Sequence, residues 1–345
     1  MIFSKELVGN SQAAKNQWAE VNAVRQAANA QEDLFVKNGL VVNSGLIPQD
    51  VYQELDAVTV TRMRSDDGDT FLNDLLPLSR SVNIGKLVSK WRTASDAGNA
   101  QTSMTGQIGV KLDNVNYAYD GTIVPIHDAG YSREWREWAA QTSEGFDALI
   151  DDQRETVATI RSHLAGTFMD GHKDRDGNVI MLDGLSWSGM RADSRVAQVA
   201  LTFDFTDVTK TGEEIKNAFI AQIRNIMWIN NNVDSDLTYY VSRQVAANFE
   251  RRFNVNFDSK TVSQELSGLM GVAEIKVSNK LTNNQIMGFV LDSNKIAPIV
   301  GMGMNTVALP RPLYNSKYEF NVWAAIGWAV KKDFSGKTSA VYAAS

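Results

Sequence analysis

The stretch NVNYAYDGTIVPIHDAGYSREWREWAAQTSEGFDALIDDQRETVATIRSHLAGTFMDG, residues 114–171, decides the fold because its hydrophobic period changes from that of a strand to that of a helix. Up to Tyr119 the chain reads as extended. Asp120-Gly121 is a turn signal, and Ile123 to Ile126 follow as a strand. A helical tract begins near Ser132, with Trp135 and Trp138 three apart on one face. The long element comes last. From Ser143 to about Met169 the apolar residues Phe146, Leu149, Ile150, Val157, Ile160, Leu164 and Phe168 recur at helical spacing. Asp151, Asp152, Arg154, Glu155 and Arg161 fill other faces, and the spacing predicts a helix of roughly 40 Å.

Upstream, Ser81–Thr93 and Gln107–Tyr119 are predicted as two extended segments, with Val82, Ile84 and Val88 on one and Ile108, Val110 and Leu112 alternating on the other. Their connector, Ala94 to Gly106, holds only Met104 as a large apolar residue and cannot build a core of its own. A two-stranded extension is marginal in water. It either lies back on its own domain or is held by another subunit. Further upstream, Ser11 to Lys37 reads as a helix with a narrow apolar stripe, chiefly Trp18, Val21 and Val24, stopped at Asn38-Gly39. A surface helix and an arm that docks on a neighbour are both consistent with that pattern.

Downstream, Met181 to Phe205 reads as mixed and extended. Thr211 and Glu214 have capping-box spacing ahead of Ile215, Phe219, Ile223 and Ile226 on one helix face. An alternating α/β section follows, with strands at Leu237–Val241, Val272–Val277 and Ile286–Leu291 and helices at Ser242–Phe253 and Thr261–Leu269. The last tract, Tyr318 to Ala344, reads as late strands closing a sheet, with turn chemistry at Phe334-Ser335-Gly336.

The chain of 345 residues is long enough for two or three compact units, and its 43% hydrophobic and 21% charged residues are those of an ordinary globular protein. A net charge of -6 gives no whole-chain attraction to nucleic acid or anionic membranes, which argues against a dedicated DNA-binding protein. With no cysteine there are no disulfides, thiolate zinc sites or cysteine nucleophiles. The first residues lack the pattern of a signal peptide, and no apolar run approaches the ~18 residues of a membrane span. Synthesis and assembly in a cytoplasm are the default expectation.

The order of elements resembles the capsid-shell fold shared by tailed-phage major capsid proteins and encapsulins. The resemblance is most specific from Asn114 to Gly171, where NVNYAYDGTIVPIHDAGY followed by REWREW looks like the segment joining extended loop to spine helix in podophage-type capsid proteins. It implies an α+β subunit. Residues 1–47 would form an N-terminal arm, 48–78 the start of a peripheral domain and 79–119 an extended loop. Residues 120–209 would complete the peripheral domain with its spine helix at about 143–169, 210–310 would form an axial domain, and 311–345 would return as strands. The function implied is that of a non-enzymatic major capsid protein in the virion, assembled in the host cytoplasm around double-stranded DNA. Implied partners are copies of itself in hexamers and pentamers, a portal protein, scaffold and decoration proteins, and DNA contacted non-specifically, with no membrane and no cofactor. Some relatives cross-link through a loop lysine. Lys86, Lys90 and Lys111 sit in or beside the loop here, but no partner residue is identifiable. With Trp18, Met104, Trp135 and Trp138 they are the candidate intersubunit contacts.

Two alternatives stay open. An encapsulin-like compartment would have the same fold around a cargo enzyme. A soluble metal-dependent enzyme would use the Asp170–Asn178 tract: aligning Gly177 with the sixth position of a calcium loop puts Asp174 and Asp176 at positions three and five and Asp183 at twelve. His172 at position one and Asp in place of Glu at twelve fit calcium poorly, and a turn closing the long helix explains Asp176-Gly177-Asn178 as well. His127, His163 and His172 lack metal-binding spacing and read as structural. Gly301-Met-Gly-Met-Asn305 lacks the Lys-Ser/Thr of a phosphate loop and reads as a backbone bend.

Overall fold

The structure is a computed structural model that describes residues 23, 26, 70–98, 100, 102–105, 109, 112–143, 148–254, 260–311, 313 and 315–345. The chain divides into two compact units, residues 1–60 with 142–146 and residues 61–141 with 147–345. Of the first, the structure describes Ala23 and Gln26, both helical, and Thr142 and Ser143, which end a helix. Trp18 of the expected arm, Ile108, Val110 and Lys111 lie outside the described residues.

The second unit begins with helix α1 (Thr70–Leu75), a 3-10 turn and strand β1 (Arg80–Ser81). Strands β2 (Val88–Ala94) and β3 (Tyr117–Ile123) form a separate antiparallel ribbon. Strand β4 (Ile126–Arg133) leads to α2 (Trp135–Ser143) and the long α3 (Ala148–Asp170). The predicted helix starts five residues earlier than α3 and its 23 residues span about 35 Å. A small hairpin, β5 (Met181–Leu182) and β6 (Leu185–Ser186), turns through Asp183 and Gly184 at φ 53° and 73°. Both residues of a two-residue hairpin turn need that left-handed backbone.

Two larger sheets make up the rest. The four-stranded sheet has the order β1, β11 (Ile296–Ala308), β12 (Tyr318–Val330), β4, with β1 parallel to β11 and the other pairs antiparallel. The five-stranded sheet has the order β7 (Ala197–Ala200), β13 (Ala340–Ala344), β10 (Gln285–Phe289), β8 (Leu237–Val241), β9 (Val272–Val277). Against it pack α4 (Gly212–Phe219), which continues through π-helical turns to Asn230, and the short α5 (Arg243–Phe249) and α6 (Val262–Ser267). The predicted capping box closes α4, with Thr211 Oγ1 accepting from the Glu214 amide and Glu214 accepting from the Thr211 amide. Neither boundary expected at 209 or 310 divides the sheets: β7 joins the five-stranded sheet and β11 the four-stranded one.

Alternation along the five-stranded sheet gives each face its own core. Tyr239, Ile286, Val341 and Ala343 face the core shared with α4, α5 and α6. Tyr240, Met287, Phe289 and Tyr342 face the other core, shared with α3 and the four-stranded sheet. Phe168 on α3 is the centre of that second core, with Phe71, Trp328, Phe289 and Trp187 at ring distances of 5.2, 5.1, 5.9 and 6.0 Å. A buried indole N–H needs a partner. Thr167 supplies both, its carbonyl accepting from Trp187 Nε1 at 3.0 Å and its hydroxyl from Trp328 Nε1 at 3.1 Å.

Two sequence expectations need correction. Asp120-Gly121 is not a turn; both residues lie within β3, opposite Trp91 and Lys90. A side chain on Gly121 would place its Cβ 2.7 Å from the Ser89 carbonyl oxygen, so close strand approach, not turn geometry, calls for glycine here. Gly301 to Asn305 is not a bend between elements but part of β11, at two register shifts against β12. Bulges accommodate the extra residues and keep the strand continuous.

Candidate assembly surfaces

The β2–β3 ribbon pairs Val88 with Ile123 at its root and Ala94 with Tyr117 farther out, and Ser95 and Asn116 extend the ladder. Its sequence gives it no core. No residue of β2 is buried, and in β3 burial is confined to Gly121, Thr122 and Ile123 at the root. Tyr117, Tyr119, Leu112 and Met104 are exposed, Met104 fully. Arg92 covers one face of Tyr117 at 5.2 Å.

The root is held by charge and hydrogen bonds. Arg195 is buried, and its guanidinium donates to the Gly121 carbonyl at 2.8 Å, to the Ser186 carbonyl, and to both carboxylate oxygens of buried Asp193 at 2.8 Å. It also lies over the Trp187 ring and 3.8 Å from Asp120. Burial alone would raise the Asp193 carboxyl, but hydrogen bonds and charge from Arg195 bring it below the usual carboxylate range. Lys90, one of the loop lysines, is exposed on β2 and makes a long 3.8 Å ion pair with Asp183. Lys86 is exposed in the turn before β2, its amide bonded to the Asn83 carbonyl.

A second surface lies around α2, none of whose residues is buried. Trp135 is exposed beside a cleft of about 380 Å³ that Leu309, Pro310 and Lys317 also line. Trp138 is half-buried, its ring edge-on to Tyr318 at 4.8 Å, and Arg311 covers Tyr318 at 4.0 Å. The two tryptophans, three apart in sequence, therefore differ: Trp138 packs within the subunit and Trp135 faces outward. A third exposed apolar group, Trp228, Ile229 and Met270, was not picked out from the sequence. Arg224 ties it together, its guanidinium 3.8 Å from the Trp228 ring centre and its Nε donating to the Met270 carbonyl.

The aspartates of the metal-enzyme reading do other work. Asp174 Oδ1 accepts from the amides of Asp176 and Asn178 at 3.0 and 2.8 Å, closing a turn that Gly177 completes at φ 85°. Asp183 belongs to the separate β5–β6 turn. Among the described residues no three His, Asp or Glu side chains gather as a metal set. Nor, among them, is any helix long and apolar enough to cross a membrane.

Residues 40–343 match the profile of a family described as "Family of unknown function (DUF6260)". The chain belongs to that family. No curated protein matches this DUF6260 chain in sequence. Among solved structures it is similar to "The capsid of Myoviridae Phage XM1", with TM-score 0.65 and 13% identity over 87% of this chain and 99% of that one. It is also similar to "Capsid of empty GTA particle computed with C5 symmetry", with TM-score 0.54 and 12% identity over 88% and 99% of the two chains. "Mycobacterium phage Ogopogo" matches with TM-score 0.54 and 12% identity over 87% and 100%. At such identities the likeness concerns the fold. The DUF6260 chain has the α+β capsid fold of tailed phages.

Proposed function

We propose that this chain is a phage major capsid protein, a structural subunit without catalytic function whose copies close into an icosahedral head around double-stranded DNA. The observation that carries the reading is the β2–β3 ribbon in the context of this fold. A two-stranded ribbon with a buried root and exposed aromatic and aliphatic side chains beyond it gains its order from contacts outside itself. Tyr117, Tyr119, Leu112 and Met104 would supply apolar area to a neighbouring copy, and Trp135 would supply a second patch. Trp18, Lys86, Lys90 and Lys111 are further contact positions.

In this reading α3 and the four-stranded sheet form the peripheral part of the subunit, and the five-stranded sheet with α4, α5 and α6 the axial part, around which hexamers and pentamers close. Ordinary stable interfaces bury about 1,600 Å² in total. Several patches per subunit, repeated by symmetry, make individually weak contacts collectively strong. A portal, scaffold or decoration protein would bind the finished lattice, assembled in the host cytoplasm. The net charge of -6 suits a wall that packaged DNA slides past.

Deleting Ala94 to Gly106 tests the reading. Negative-stain microscopy of the purified wild-type chain is expected to show closed shells, and the deletion to lower their yield and stability. Shells formed by the deletion variant with normal yield and stability would refute the ribbon's role. A wild-type chain that stays a single compact molecule at high concentration would refute the shell.

A further inference from the structure

All three histidines of the chain meet at one place, although they come from separate elements. His127 lies on β4, at the edge of the four-stranded sheet. His163 lies on the C-terminal half of α3, and His172 stands two residues past its end. The His127 ring is 5.2 Å from that of His163 and 5.4 Å from that of His172. His127 and His172 are buried, and His163 stands at the solvent edge.

The polar partners are few. His127 Nε2 lies 3.2 Å from the Ile326 carbonyl oxygen, which assigns Nε2 as the protonated nitrogen of the neutral ring. Both nitrogens of His172 are buried, and neither has a hydrogen-bond partner among the described residues. The charged groups facing the cluster are Asp128 on β4, which favours a charged His127, and Lys280, whose ammonium sits on Ser162 Oγ at 2.8 Å and disfavours a charged His163. Among the described residues no carboxylate accepts a hydrogen bond from any of the three rings. A proton added to buried His127 would place a cation beside two other imidazoles, out of water and, among the described residues, with no carboxylate in hydrogen-bond contact.

The backbone at this point ties several elements together. The His172 amide donates to the Trp187 carbonyl at 3.1 Å, and its carbonyl accepts from Ile180 at 2.8 Å. Residues 173–186, which include the β5–β6 hairpin, therefore fasten to the end of α3 at His172. That hairpin in turn lies against the ribbon root, where Leu185 crowds Gly121 and Asp183 pairs with Lys90.

We propose that the three-histidine cluster is an acid-sensitive joint: neutral rings hold β4, the end of α3 and residues 173–186 together, and protonation parts them and frees the root of the β2–β3 ribbon. The joint belongs to the subunit and stands whether or not the chain builds a shell. Burial first, then the neighbouring rings, brings His172 down to about 3, and burial with His163 brings His127 down to about 4. An opened state with ordinary histidines near ~6.5 binds more protons, so opening is favoured as pH falls below ~6.5, and increasingly so down to the folded values. At pH 5 each buried ring favours the opened state by about thirty-fold relative to pH 8, from values of about 4 and about 3 against ~6.5.

The test is amide hydrogen exchange of the full-length chain at pH 8 and pH 5, corrected for intrinsic exchange, in peptides covering β4, the end of α3 and residues 173–190. Wild-type protection is expected to fall at pH 5 by about nine-hundred-fold, the product of the two rings' factors, and to recover on return to pH 8. His172→Phe, which keeps a ring but cannot take a proton, is expected to remove about thirty-fold of that loss, and His127→Gln a similar factor. The wild-type comparison stands by itself if either variant fails to fold. Protection in wild type that is the same at both pH values would overturn the joint, as would a loss in both variants as large as that of wild type. Added Zn²⁺ that raises protection of the same peptides at pH 8, reversed by a chelator, would also overturn it and make the trio a metal seat.

Discussion

Replacing Asp193 by Ala tests whether the ribbon root is held electrostatically. Asp193 and Arg195 are both buried, and the carboxylate accepts four bonds of 3.1 Å or less: from Ser188 N, Arg195 N, Arg195 Nε and an Arg195 terminal nitrogen. Truncation leaves the guanidinium buried with the Gly121 and Ser186 carbonyls and, at 3.8 Å, Asp120. Breaking a buried ion pair from one side costs about 3–5 kcal/mol, and the surviving Asp120 contact places the expected loss near about 3 kcal/mol. Urea unfolding of the unassembled subunit at pH 7, followed by circular dichroism, measures it. Adding Arg195→Met should recover part of the loss, because the double variant no longer strands a charge. The Asp193 carboxyl is depressed in the folded chain, so its contribution is present above the unfolded carboxylate range and disappears as pH falls through the folded value. A cost below about 1 kcal/mol, or a double variant worse than the sum of its singles, would refute the electrostatic account.

Two further substitutions test the packing that carries the ribbon. A Cβ on Gly327 would sit 2.1 Å from the Ile123 carbonyl oxygen, a backbone atom, so Gly327→Ala must lift the β3–β4 corner off β12. A loss of about 3 kcal/mol, read as a fall in melting temperature, is expected. Thr211→Ala removes the hydroxyl that caps α4 and should cost about 1 kcal/mol in the same assay, while shell formation stays intact.

The elements most legible in the sequence are those specified locally. The Thr211–Glu214 pair marks the start of α4 because a capping box satisfies its backbone amides within four residues. Strand β8 and the helix after it follow for the same kind of reason, and Ser242 caps the latter. Non-local features were not legible. The glycine of Asp120-Gly121 has the composition of a turn, and only its β2 neighbour makes it a strand residue. Strand β11 contains Pro298, Gly301 and Gly303, which punctuate a sequence reading, yet pairing with β12 keeps it in one piece. Trp135 and Trp138 share a helical spacing, but the position of Tyr318 decides which of them packs inward. The histidines share no spacing at all, because a strand, a helix and a loop bring them together.

The distribution of buried residues separates folding from assembly. The two larger hydrophobic cores are built from side chains of this one unit, and each face of the five-stranded sheet is already covered. Among the exposed apolar side chains are those of the outer ribbon, Trp135 in the first turn of α2, and the group of Trp228, Ile229 and Met270. Replacing Tyr119 removes little that holds the subunit together, since a side chain mostly in water has little burial to forfeit. Substitution of Tyr119 by Ser should therefore leave the melting temperature of the unassembled subunit within about 2 °C while reducing the yield of shells. The buried pair Asp193 and Arg195 joins the two levels. It orients the ribbon from inside the folded unit, so damage there should reduce subunit stability and shell yield together, whereas damage at the exposed residues should reduce shell yield alone.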